Sequence, residues 1–190
     1  MRRNEAVQLV MQALDDRPTV VCNGMIGREV FTARDREANF YMIGSMGLGL
    51  SIALGAALAQ PEKKVLCLDG DGNVLMGLGV LASAGAMQLP NLLHIVLDNE
   101  SHGSTGGQRT ITESVDLAAI ATAAGYRWAE RVAAEDLEAT LPAFLAREGP
   151  AMLLVKVEKG NQPGIARVSH TPPEVTARFS SVLLSPGRRD

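Results

Sequence analysis

Two short stretches of the chain combine residue types that could do chemistry together. The aliphatic run Val65–Leu68 leads into Asp69-Gly70-Asp71-Gly72-Asn73 and then into a helical pattern. Glycines at 70 and 72 let the backbone approach an anion closely, and a helix N-terminus offers it unpaired N–H groups. Asp71 places a carboxylate in the same spot, which suits an anion only if a cation lies between them. Mg²⁺ fits, because it takes one or two protein oxygens together with phosphate oxygens and water. The same loop also reads as a tight turn with an Asp N-cap. A second aliphatic run, Leu92–Leu97, ends in Asp98-Asn99-Glu100-Ser101-His102-Gly103, and Asn99 follows Asp71 by 28 positions. If the two strands are parallel neighbours, the Asn99 amide oxygen becomes a second ligand for the ion. The backbone carbonyl of Ser101 becomes a third.

These loops need a frame, and the pattern along the chain supplies one. Strands are expected at Thr19–Cys22, Phe40–Ile43, Lys64–Leu68, Leu92–Leu97, Arg127–Glu130 and Ala151–Val157. Helices are expected between them, at Glu5–Leu14, Leu48–Gln60, Val74–Gln88, Leu117–Ala124 and Glu135–Arg147. Strands that are apolar throughout suit a parallel sheet covered on both faces. Alternating β and α elements then predict a doubly wound, mostly parallel α/β domain, with ligands at the carboxyl ends of the strands. Gly47, Ser51, Gly55 and Ala59 recur every four residues and make a small-residue stripe on a helix that is apolar all round. Such a helix is expected to be buried, on its own sheet or at a subunit interface. Residues 1–159 read as the domain, and 160–190 as a Pro-containing tail wrapping it, with one short helix starting near Pro173.

Composition narrows the function. The 190 residues are 46% hydrophobic and 21% charged with a net charge of −3, which argues against disorder and gives no electrostatic case for nucleic acid. The Arg188-Arg189 pair reads as a solvated tail. Cys22 and Cys67 sit in apolar runs without a CxxC spacing, so the sequence suggests neither a zinc site nor a disulfide framework. Met1–Glu5 lacks a signal-like apolar segment, and the most apolar stretch, Gly47–Ala59, is too short to cross a bilayer. A soluble, cytoplasmic protein is expected.

Strand, Gly70-Asp71-Gly72, helix, aliphatic strand and Asn99, in that order, resemble the binding motif of thiamin diphosphate (ThDP) enzymes. The resemblance implies that Asp71, Asn99 and the Ser101 carbonyl hold Mg²⁺ against the diphosphate. Asp98 stands where the family usually has a first Asn, a departure that spares the ligand position. Gly44-Ser45-Met46-Gly47 is similar to the segment that supports the thiamin rings. It implies Met46 as the wedge behind the bent cofactor and the Gly44 carbonyl as acceptor for the 4′-amino group. Gly24, Asn73, Gly103 and Ser104 are implied as further cofactor contacts, with Gly103–Gln108 suited to closing over the diphosphate. Closer still, Asn23–Phe31, Phe40–Gly47 and Ser101–Thr110 are similar to sulfopyruvate and phosphonopyruvate decarboxylases.

That resemblance implies decarboxylation of a small 2-oxoacid to an aldehyde and CO₂. ThDP enzymes need a Glu beside the aminopyrimidine, carried on a separate pyrimidine-binding domain. No Glu of this chain stands in that context, so a partner subunit is expected to supply it in a hetero-oligomer. Arg28, in the strand-end segment after the first strand, is expected to read the substrate's anionic head group, or else to be a surface Arg. His102 could face the substrate, or simply bond to backbone; His94 and His170 read as structural. Rival readings are the β chain of a 2-oxoacid:ferredoxin oxidoreductase, an acetolactate synthase type of carboligase, and a non-catalytic ThDP-binding chain that stabilises a partner.

Overall fold

The apolar runs form one six-stranded sheet in a computed structural model that describes residues 1–185. Arg188 and Arg189 lie outside the described residues. Along the chain the elements are α1 (Arg3–Ala13), β1 (Thr19–Val21), α2 (Met25–Arg34), β2 (Asn39–Tyr41), α3 (Gly49–Ala59) and β3 (Val65–Gly70). They continue as α4 (Asp71–Met76), α5 (Gly79–Met87), β4 (Leu92–Asp98), β5 (Ser101–His102), β6 (Gln108–Arg109) and α6 (Leu117–Ala123). The last are β7 (Trp128–Ala133), α7 (Leu137–Leu145), β8 (Ala151–Lys156) and α8 (Pro172–Leu184). The sheet order is β2-β1-β3-β4-β8-β7 and every pairing in it is parallel; β5 and β6 form a separate antiparallel hairpin.

Both faces of the sheet are covered at its centre, which is why β3, β4 and β8 are buried along almost their whole length. Leu66, Leu68, Leu93, Ile95 and Leu97 pack with α1, α2 and α7. Val65, Cys67, Leu92 and Val96 pack with α3, α5 and α6. This is the doubly wound α/β fold expected. Strand order reverses direction between β1 and β3, so the loops leaving these two strands diverge and open a crevice at their carboxyl ends. Register pairs Gly70 with Leu97, which brings the Asp71 and Asp98 loops side by side. No helix among the described residues is long and apolar enough to cross a membrane.

Four expectations differ from the structure. A helix expected over Val74–Gln88 is two, α4 and α5, and α4 already begins at Asp71. Gly77 breaks it: a Cβ there would lie 2.2 Å from the Gly47 carbonyl oxygen, so the chain turns where two backbones meet. The segment Asn23–Phe31 is not a strand-end loop, because Met25–Arg34 forms α2 behind a Gly24 N-cap with φ +88°. The outer strands are displaced, to Asn39–Tyr41 and Trp128–Ala133. Finally, of the two placements expected for the small-residue stripe, its own sheet is not the one for the part within α3. Gly55 and Ala59 are exposed, and Leu48 and Leu58 stand out at 50% and 55% exposure.

Beyond β8 the chain passes Arg2 and the Gly103 turn on its way to α8, which begins one residue earlier than expected with a Thr171–Glu174 capping box and runs 13 residues. Phe179 meets Phe40 edge-on at 5.4 Å, and His170 and Arg178 both bond Asp35 at 2.9 Å.

Candidate functional site

A cleft of about 60 Å³ opens where the loops after β1, β3 and β4 converge. Asp71, Gly72, Asn73, Asn99, Ser101 and His102 line it, together with Gly24, Met46, Gly70, Gly103 and Ser104. Eleven of the fourteen site residues expected from the sequence therefore meet at one place. Gly44 and Ser45 stay outside it, exposed on the rim. Arg28 is also outside: it is half-buried on α2 rather than in a loop.

Asp71 is 3% exposed and aimed by a neighbour that sequence reasoning missed. The Thr110 hydroxyl donates to its Oδ2 at 2.6 Å, and the Thr112 hydroxyl oxygen lies 2.8 Å from that of Thr110. Burial pushes the Asp71 carboxyl up, the Thr110 bond opposes that, and the charge of Asp98 pushes it up again. A divalent cation would offset this crowding of negative charge.

Asp98 itself is held away from the cleft's chemistry. Thr112 and the Glu100 amide donate to its Oδ1 at 2.8 and 2.9 Å, and Lys156 donates to its Oδ2 at 2.8 Å. A carboxylate in place of an amide here is matched by its own cation, Lys156. Glu100 then adopts φ +56°, turning the chain so that Asn99 and Ser101 both reach the cleft.

Two buried amide atoms in the cleft have no partner. Asn99 accepts from the Ser101 amide at 3.2 Å through Oδ1, while its Nδ2 is unbonded; Asn23 Oδ1 is likewise unbonded. Unpaired buried polar atoms are costly unless something binds them. A metal at the free lone pair of Asn99 Oδ1 and an anionic oxygen at Nδ2 would satisfy that side chain. The Ser101 carbonyl accepts from Gly103 N at 3.0 Å and keeps a second lone pair that could ligate an ion. The donor set, all oxygen with one carboxylate, fits Mg²⁺ and a diphosphate.

The upper wall is built by contact between distant turns. A Cβ on Gly72 would come within 2.8 Å of the His102 ring and 3.0 Å of the Met46 methyl, so glycine there lets both side chains close on the α4 N-terminus. Asn73 accepts from the Gly47 amide at 3.1 Å and thereby pins the Met46 turn, in which Ser45 takes φ +56°. Gly24 and Ser104 face each other, with 3.8 Å between a Gly24 Cβ and the Ser104 hydroxyl. Arg3, from the first turn of α1, also lines the cleft, a position no local signal marks. Beneath the loop, Cys67, Asp69 and His94 are buried with ligand atoms within 4.8 Å of one another.

A parallel, doubly wound sheet with a glycine-rich, polar cleft at its switch point defines the class: a ligand-binding α/β domain. The thiamine pyrophosphate enzyme C-terminal TPP-binding domain model matches residues 19–155. The chain belongs to that family. It is 42% identical over 180 residues to a phosphonopyruvate decarboxylase of Streptomyces viridochromogenes, covering 94% of this chain and 45% of that protein. It is 41% identical over 162 residues to the sulfopyruvate decarboxylase subunit beta of Methanothermobacter thermautotrophicus, covering 85% of this chain and 84% of that one. The chain thus spans under half the length of the phosphonopyruvate decarboxylases it matches and most of the sulfopyruvate β subunit. Benzoylformate decarboxylase from Polynucleobacter necessarius shares the fold with a TM-score of 0.68 at 17% identity, over 86% of this chain and 34% of that one.

Proposed function

We propose that this chain is the ThDP- and Mg²⁺-binding subunit of a two-chain 2-oxoacid decarboxylase acting on 3-sulfopyruvate or phosphonopyruvate. The observation that carries the reading is the meeting of Asp71, Asn99 and Ser101 in one cleft at the ends of β3 and β4. Likeness to the sulfopyruvate β subunit and the phosphonopyruvate decarboxylase supports the substrate class. Residues 1–159 form the cofactor domain in this reading, with 160–190 as its tail, and the protein works in the cytoplasm.

Asp71, Asn99 and the Ser101 carbonyl would hold the ion, and the backbone amides of Gly72 and Asn73 at the start of α4 would face the diphosphate. Met46, pinned through Gly47 and Asn73, would prop the rings, and the Gly44 carbonyl would accept from the 4′-amino group. ThDP, when bound, supplies the electron sink that lets the bond to CO₂ break. His102 stands against Gly72, where it can orient the substrate carboxylate or hold a proton near it. Arg28 is one turn into α2, whose first residues Gly24–Ile26 border the cleft, and is the candidate for the substrate's second anionic group.

The pyrimidine-binding partner would contribute the activating Glu and cover the rim. Exposure of Ile43, Leu48 and Met76 at 55%, 50% and 65%, beside the exposed Gly44-Ser45 turn, supports a covering chain there. Turnover of the reconstituted pair on sulfopyruvate, phosphonopyruvate and pyruvate tests the reading. Activity on the first two only with both chains present is expected; full turnover by this chain alone, or on pyruvate alone, would contradict it.

A further inference from the structure

We infer that Arg3, Glu29 and Asn161 form a latch that fastens the Ser101–Arg109 hairpin over the cleft, and so set how tightly the cofactor's diphosphate is held. The inference about affinity rests on the ThDP reading; the fastening itself does not. Arg3 and Glu29 are 5% and 3% exposed, and the guanidinium grips the carboxylate in a two-bond fork, both bonds 2.9 Å. Arg3 Nη2 also donates to Asn161 Oδ1 at 2.9 Å, and Asn161 Nδ2 donates to the Gly103 carbonyl at 2.6 Å. The line of contact thus runs from α2 through α1 and the segment after β8 to the hairpin.

A buried ion pair is a poor way to gain stability, because desolvating both charges offsets their attraction. Arg3 does something an apolar residue could not. Among the described residues lining the cleft, it alone carries a permanent positive charge. It also fixes the orientation of Asn161, an otherwise exposed side chain. The hairpin needs such a hold. Its two strands share only the pairs Ser101–Arg109 and His102–Gln108, and residues 104–107 are exposed. At its base Thr110, which follows β6 and donates its amide to the Glu100 carbonyl, is tied to Asp71. At its turn Gly103 is the attachment, packed so closely that a Cβ there would lie 2.7 Å from Asn161 Oδ1 and 3.5 Å from Arg3 Nη1. Held at base and turn, the hairpin keeps Ser101, His102 and Ser104 on the cleft.

Asn161→Ala tests this, because it removes both Asn161 bonds and leaves the buried Arg3–Glu29 pair intact. Hydrogen exchange of the full-length chain without cofactor should speed up about tenfold in peptides covering residues 101–109, the loss of one or two hydrogen bonds. Peptides from β3 and β4 should be unchanged. Calorimetry with ThDP and Mg²⁺ should show affinity weakened about three- to tenfold. Asn161→Asp, which can still accept from Arg3 but cannot donate to Gly103, should behave like the Ala variant. Unchanged exchange in residues 101–109 would overturn the latch. Faster exchange with unchanged ThDP affinity would overturn its role in binding. Faster exchange in a chain whose wild type binds no ThDP would support the fastening and place the failure on the cofactor reading.

Discussion

The Thr110 hydroxyl donates to Oδ2 of Asp71 at 2.6 Å, and so links the hairpin beyond β4 to the acidic loop beyond β3. One side of the carboxylate is thereby fixed. Thr110→Val keeps the β-branched shape but removes the donor. A hydrogen bond to a charged group contributes about 1.5–3 kcal/mol, so Mg²⁺-dependent ThDP affinity should fall by about tenfold or more. The melting temperature without cofactor should fall as well, by about 4–9 °C, because the bond is already present there. Titration calorimetry at saturating Mg²⁺ decides it. Equal affinity would mean that something else aims Asp71.

Asp98 is expected to matter for stability and not for the cofactor. Asp98→Asn keeps an acceptor for Thr112 and Glu100 N but removes the charge facing Lys156, which retains Glu100 at 2.6 Å. With that second partner in place the loss should be modest, about 1–2 kcal/mol, or about 3–6 °C in melting temperature. ThDP affinity should stay within about threefold. A large loss of binding with an unchanged melt would make Asp98 part of the cofactor site.

Two glycines test the packing in opposite directions. Gly77→Ala would drive a methyl into the Gly47 carbonyl, a backbone atom that cannot step aside, and should cost about 2–3 kcal/mol while disturbing the Met46 turn. Gly55→Ala lies mid-helix with nothing within 4 Å and should stabilise the isolated chain by about 0.5–1 kcal/mol. Thermal melts of both variants check the pair. Destabilisation by Gly55→Ala in the isolated chain would mean that this face of α3 is not open.

The two loops and their meeting were legible in the sequence, and the contacts made to them from outside the motifs were not. Gly70-Asp71-Gly72 and Asn99 could be found because each closes an apolar run whose type is decided by burial on both faces. Helix α2 was missed because it starts behind Gly24 with no side-chain cap, so the usual start signal is absent. The break between α4 and α5 was hidden by apolar residues running through it, although Gly77 and Gly79 stood there. The unbroken apolar run and its small-residue stripe placed α3 but could not say which face the sheet covers. Arg3 and Asn161 reach the site only through the fold, from positions far from the motif in sequence, and Thr110, though close to Asn99 in the chain, meets Asp71 only because the hairpin folds back on β3's loop.

Arg28 can be tested by substrate. Arg28→Ala in the reconstituted pair should lower kcat/KM about tenfold to hundredfold on sulfopyruvate or phosphonopyruvate, the loss of one charge-assisted bond of about 1.5–3 kcal/mol. Turnover of pyruvate, where present, and ThDP affinity should be nearly unchanged. Equal losses on pyruvate would make Arg28 a support for the site in general. No loss on either substrate would leave it a solvated side chain on α2.

The central claim is that Asp71 exists to hold a metal ion against an anionic cofactor. Calorimetric titration of the full-length chain with ThDP, with and without Mg²⁺, measures it most directly in wild type and Asp71→Ala. The wild type should bind only with Mg²⁺ and gain thermal stability from the pair of ligands, because they bind the folded state alone. Asp71→Ala should fold, lose the Mg²⁺-dependent binding, and show no such gain. Asp71→Ala binding ThDP with wild-type affinity and the same Mg²⁺ dependence would contradict the account.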